Sequence, residues 1–140
     1  MVGDSNILKN YSNKLRVRVC GILIENDSIL LVRHKNIGEK GILWSPPGGG
    51  VEFGTSLKEN LIREFKEETG LKIEVCDFLY ASEFLNAPLH AIELFFEVKF
   101  RNGVLKIGLD PELPLNDQII EEVCMVNFQR LKKMEKEILH

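Results

Sequence analysis

Between Leu15 and Ile24 apolar positions alternate loosely with polar ones and valine and isoleucine dominate, a pattern that predicts a strand. Glu25-Asn26-Asp27-Ser28 predicts a turn, Ile29 to Arg33 the returning strand of a hairpin, and His34 to Gly41 a polar loop. After Ile42-Leu43-Trp44, the run Ser45-Pro46-Pro47-Gly48-Gly49-Gly50 excludes helix, because prolines fix φ and remove donors while glycines disfavour regular structure; it predicts a loop. From Leu57 to Thr69 the period becomes helical. Leu57, Leu61, Ile62 and Phe65 share one face, Thr55 or Ser56 can cap the start, and Gly70 supplies the stop. Leu71 to Ser82 and Ala91 to Phe100 predict two more strands. In the second, Ile92, Leu94, Phe96, Val98 and Phe100 fall on one face and Glu93, Glu97 and Lys99 on the other. Arg101 to Gln118 is a connection of a length that often carries function. Glu122 to Phe128 predicts a last strand and Gln129 to Leu139 a charged amphipathic helix.

Composition narrows the class without changing the elements. With 44% hydrophobic and 28% charged residues in 140, the chain has the make-up of a globular protein rather than a disordered one. No repeat or linker divides it, so one domain is expected over 15–140 behind an N-terminal extension, 1–14. A net charge of −3 gives no electrostatic case for nucleic acid or a membrane surface. No apolar run approaches the roughly 18 residues of a membrane helix, and Met1 to Lys14 lacks the apolar core of a secretory signal. Cys20, Cys76 and Cys124 are odd in number, sit in apolar runs and show no C-x-x-C spacing; they are expected to be small buried hydrophobes in a reducing, cytoplasmic setting.

The chemistry concentrates in Gly48 to Leu71, GGGVEFGTSLKENLIREFKEETGL. Glu64, Glu67 and Glu68 stand at i, i+3 and i+4 of the predicted helix, so their carboxylates share one side. Like charges so spaced repel, no basic residue follows them at i+4 within the helix, and the C-terminal end of a helix dipole disfavours anions. A hard divalent cation such as Mg²⁺ or Mn²⁺ would offset this, and the adjoining glycines would let a metal or phosphate approach the main chain. Either feature alone is commonplace: acidic runs usually form solvated helix faces, and glycine runs usually form plain loops.

Together, in this order, they resemble the Nudix box, G-x5-E-x7-R-E-U-x-E-E-x-G-U with U a bulky apolar residue, over the 23 positions from Gly49 to Leu71. Thr55 departs where the first glutamate stands, a residue that in the family mainly supports the loop–helix structure, and Phe65 is aromatic where an aliphatic residue is usual. Trp44-Ser45-Pro46-Pro47-Gly48-Gly49, Glu52-Phe53-Gly54 and the late VCMVNFQRLKKM segment extend the likeness.

The resemblance implies an α/β fold, a Nudix-type α/β/α sandwich around a mixed β-sheet. It implies Glu64, Glu67, Glu68 and the Gly49 carbonyl as ligands of Mg²⁺ (or Mn²⁺), with Arg63 holding the glutamates by salt bridge; each of the three glutamates stays open as the base. Glu52, His90, Asp117 and Glu121 are candidates on the substrate side, each with a plainer alternative as a solvated carboxylate or a strand-end histidine. Glu122 shares the late region with Asp117 and Glu121. Trp44 is expected to pack on the sheet edge rather than stack on a base. The implied reaction is water attack on phosphorus in a nucleoside diphosphate linked to another group, of ADP-ribose or nucleotide-sugar type, or in a nucleoside triphosphate. No membrane or nucleic-acid partner is implied, whereas homodimerisation is common in the family. The alternative is a Nudix-fold module that binds a nucleotide or metabolite without cleaving it, against which the intact REFKEETGL argues. The fold's glycosylase chemistry is disfavoured by the chain's length and lack of an iron–sulfur cysteine set, and nothing particular signals its isomerase chemistry. A Ca²⁺-binding module lacks its D-x-[DN]-x-[DN]-G loop.

Overall fold

The computed structural model describes residues 12–35, 42–106 and 120–134. Strand β1 (Leu15–Ile22) is separated by Leu23 from the short β2 (Ile24–Glu25). Asn26 and Asp27 then turn the chain with φ of 49° and 61°, a left-handed pair that Asn and Asp tolerate best among residues with side chains. The chain returns in β3 (Ser28–Lys35), which takes in His34 and Lys35, two positions beyond the expected strand.

β4 (Ile42–Ser45) pairs with β3, and the glycine run is itself a strand, β5 (Gly48–Gly50), rather than a loop. Three glycines have little strand preference; β1 imposes the conformation by pairing Arg18, Val19 and Cys20 with Gly50, Gly49 and Gly48. Helix α1 (Leu57–Thr69) has the predicted bounds. Ser56, not Thr55, caps it, its hydroxyl accepting the Glu59 N–H at 3.1 Å. Gly70 closes it at φ 79°, where a side chain would be strained.

β6 (Leu71–Asn86) and β7 (Leu89–Gly103) form a hairpin; β6 begins where the hydrophobic pattern predicts and runs on past Ser82, and β7 is longer at both ends. β8 (Ile120–Asn127) gives way to α2 (Phe128–Lys133), which begins one residue before the expected helix. The helix stops at Lys133, where Met134 is extended, short of the expected end at Leu139; residues 107–119, which take in most of the expected connection, and 135–140 lie outside the described residues.

The strands make two sheets. One is mixed, in the order β5-β1-β7-β6, with β1 parallel to β7 and the other neighbours antiparallel. The second is antiparallel and centred on β3, which pairs with β2, β4 and β8. α1 packs against β1, β5 and β6 of the first sheet and β8 of the second. Its Leu61 and Phe65 join Val19, Leu23, Leu30, Ile73, Phe96 and Val98 in the main core. Across the second sheet, Leu31, Trp44 and Val126 form a smaller core, with Leu131 and Met134 from the α2 end packed on it. Both faces of β3 are therefore buried between helices, the α/β/α layering that the resemblance implies. Trp44 packs as expected and is buried, with the guanidinium carbons of Arg33 and Arg130 at 5.9 and 5.4 Å from its ring centroid.

Of the cysteines, only Cys20 is fully buried; Cys76 and Cys124 are partly exposed, and all three are free thiols. Burial pushes the Cys20 thiol up to about 12.

Candidate functional site

The site is built where the C-terminal half of α1 lies over β5. Strand alternation turns Gly49 toward the helix and Gly48 and Gly50 the other way. A Cβ on Gly49 would stand 2.5 Å from Glu64 Cδ and 2.6 and 2.9 Å from its two carboxylate oxygens. The missing side chain is thus replaced by a carboxylate seated against the main chain, and Glu64 is only 5% exposed there.

Glu68, one turn later and similarly buried, accepts the Gly48 N–H at 3.1 Å. Glu67 is more open and faces Arg63 at 3.6 Å. Arg63 also lies 3.5 Å from Glu64 and 3.2 Å from Glu52, so one guanidinium serves three carboxylates. No base follows the glutamates four residues on within the helix, but Arg63 stands four before Glu67 and partly relieves their repulsion.

The loop before the helix is held by a residue that pattern reading passes over. Asn60 is completely buried; its amide N–H donates to the Gly50 carbonyl at 2.9 Å, and its carbonyl accepts from the Glu52 N–H at 3.0 Å and from Arg63 at 3.2 Å. This is the loop-to-helix support expected of the glutamate that Thr55 replaces; Thr55 itself closes the turn by donating its N–H to the Glu52 carbonyl. At the other helix end Thr69 donates its hydroxyl to the Phe65 carbonyl at 2.7 Å and accepts the Leu71 N–H at 3.1 Å, fixing the exit into β6.

The structure therefore brings together Gly49, Glu52, Arg63, Glu64, Glu67 and Glu68. His90 is engaged with Glu83 at 2.8 Å in an exposed pair on the β6–β7 hairpin. Asp117 lies outside the described residues; Glu121 falls on β8, with its side chain outside them. Glu122 pairs with Arg33 at 3.8 Å. Among the described residues no three acidic, histidine or cysteine side chains converge as a ready metal cluster; Arg63 and the Gly48 N–H draw the glutamates to different sides. The donors nevertheless suit a hard cation, being carboxylate oxygens beside a main chain that a Cβ would obstruct.

In this α/β fold a glycine strand lies under a helix that carries three glutamates and an arginine. A family model described as the NUDIX domain matches residues 14–139, and the chain belongs to that family. An ADP-ribose pyrophosphatase of Methanocaldococcus jannaschii is 39% identical over 107 residues, 74% of this chain and 63% of that protein. A protein of Bacillus subtilis described as a putative ADP-ribose pyrophosphatase is 32% identical over 97 residues, 66% of this chain and 45% of its own. The matches thus span less than two thirds of the length of these curated relatives. Among solved structures, a MutT NUDIX hydrolase from Burkholderia pseudomallei superposes with a TM-score of 0.71 over 91% of this chain and 92% of its own, at 21% identity, which shows the fold.

Proposed function

We propose that the protein is a metal-dependent pyrophosphohydrolase of the Nudix family that cleaves the diphosphate of a nucleoside diphosphate derivative of the ADP-ribose type. The observation that carries this reading is the seating of the Glu64 carboxylate against the main chain of Gly49, with Glu67 and Glu68 on the same helix and Arg63 between the acids. The substrate class is that of the two ADP-ribose pyrophosphatase-named relatives.

Glu64, Glu67, Glu68 and the Gly49 carbonyl would hold Mg²⁺ or Mn²⁺, which when bound neutralises the diphosphate and the developing charge on the leaving phosphate. Glu64 and Glu68 are fixed by burial and, for Glu68, by the Gly48 N–H. Glu67, the side chain with the greatest exposure of the three, would take the proton of the attacking water. Arg63 restrains three acids whose mutual repulsion would otherwise splay them, and Asn60 fixes the distance between β5 and α1.

Incubation with ADP-ribose and Mg²⁺ is expected to release AMP and a ribose phosphate, and the Glu67→Gln/Glu68→Gln variant to lose on the order of 10²–10⁴-fold in rate. Binding of ADP-ribose by the wild type without turnover would replace this reading with that of a ligand-binding module.

A further inference from the structure

The alternation that turns Val19 and Gly49 toward α1 sends Arg16 and Arg18 to the opposite face of the mixed sheet. There the parallel register of β1 with β7 sets Arg18 beside Glu93, and Arg18 Nη1 donates to Glu93 Oε2 at 2.7 Å. Glu93 is 1% exposed and the Arg18 side chain 25%, so the carboxylate is buried while part of the arginine reaches solvent. Stability alone does not account for such a pair, because well-packed apolar residues of similar volume are often as good or better. The bond to Glu93 uses one of the five N–H donors of a guanidinium. A buried carboxylate that pins a planar fork in one orientation leaves that fork ready for an anion.

The neighbours of Arg18 on this face indicate which anion. Gly50, its partner across the β1–β5 ladder, has no side chain, and Arg16 occupies the place: Arg16 Nη2 stands 2.9 Å from where a Gly50 Cβ would be. Two arginines thus lie beside the glycine strand whose other face seats Glu64. Two strands from Arg18, Tyr80 stacks on Phe95 with ring centroids 4.5 Å apart and 10° between the planes. Phe95 is buried and Tyr80 half-exposed, so the stack is a fixed aromatic platform. From strand spacing and rise, the Cα atoms of Arg18 and Tyr80 are about 12 Å apart, a span that a nucleoside phosphate and a long arginine side chain can bridge. β5 is an edge strand of this sheet, and its glycines put no side chain in the way of a ligand that passes from the acids of α1 to the far face.

We propose that this face seats the nucleoside monophosphate half of the substrate: Arg18, pinned by Glu93, binds its phosphate, and Tyr80 offers a ring to its base. The proposal rests on the hydrolase reading above and deepens it. The acids of α1 serve the scissile diphosphate on one side of β5, and the arginines of β1 recognise the nucleotide on the other.

The test compares AMP with adenosine, which differ only in the phosphate, by calorimetric titration without metal. The wild type is expected to bind AMP about 10–100-fold more tightly than adenosine. Arg18→Met/Glu93→Leu removes both charges, so that neither is left buried alone. It is expected to bring the two ligands within about threefold of each other, and KM for ADP-ribose is expected to rise by the factor lost. Tyr80→Ala is expected to weaken both ligands together by about 5–50-fold, with their ratio as in the wild type. A folded pair variant that keeps the wild-type preference for AMP overturns the proposal, as does a Tyr80→Ala protein with wild-type affinity for adenosine. If the pair variant does not fold, Arg18→Lys keeps a charge opposite Glu93 and loses the planar fork; wild-type AMP affinity in that variant overturns the proposal equally. A wild type that hydrolyses ADP-ribose yet binds AMP and adenosine alike removes this proposal alone. One that neither hydrolyses ADP-ribose nor binds AMP removes the hydrolase reading with it.

Discussion

Neighbouring glycines of β5 are expected to fail in different ways when given a side chain. At Gly49 the obstacle is the Glu64 carboxylate, the far end of a side chain that can move. Gly49→Ala should therefore fold, with a modest fall in melting temperature, and lose activity by up to about 10²-fold as Glu64 is displaced. At Gly48 the obstacles are the Val19 carbonyl oxygen and the Cys20 Cα, which are backbone and cannot yield cheaply. Gly48→Ala should destabilise the protein by about 1–3 kcal/mol or more, measured by denaturant unfolding. The acidic side of the site was legible because it repeats along one helix at i, i+3 and i+4. The buried pair that Arg18 makes with Glu93 at 2.7 Å was not: 75 positions separate the two, and only the register of β1 with β7 makes them neighbours. Asn60 was hidden for a related reason, since a polar residue amid a helical pattern reads as a solvent position until its backbone partners are known.

Helix α1 is the element whose sequence and structure agree most closely, because cap, apolar stripe and stop are all local signals. β5 is the opposite case: its residues carry no strand signal, and its conformation belongs to the β1 edge it lies on. The β6–β7 hairpin was underestimated at its turn end because positions such as Glu83 and Leu85 are exposed there, where burial no longer enforces alternation. The connection between β5 and α1 depends on Asn60. Asn60→Ala leaves the Gly50 carbonyl and the Glu52 N–H without their side-chain partner. A cost of about 1–3 kcal/mol is expected in thermal or denaturant unfolding, with activity falling as β5 and α1 lose registration. A variant as stable as the wild type would show that the loop is held by other means.

In the molecule as a whole, the two cores lie on opposite faces of β3 and share its backbone: Leu30 belongs to one and Leu31 to the other. They are expected to unfold together. Trp44, the one tryptophan of the chain, sits in the smaller core and reports on it by fluorescence, while far-ultraviolet circular dichroism reports on all elements. Coincident denaturation curves from the two probes are expected; an earlier fluorescence transition would mean that the α2 side melts on its own. The α/β/α layering was foreseeable only through the family likeness, since single-strand patterns do not state which strands pair. The parallel register of β1 with β7, from Leu15 beside His90 to Ile22 beside Glu97, also orders events in time. A chain leaving the ribosome presents β1 and the whole of α1 long before β7 exists, at about 5–20 residues per second. For several seconds the glutamate helix is complete but has no finished sheet to lie on, and the nascent protein carries every residue of its signature motif without yet having a site.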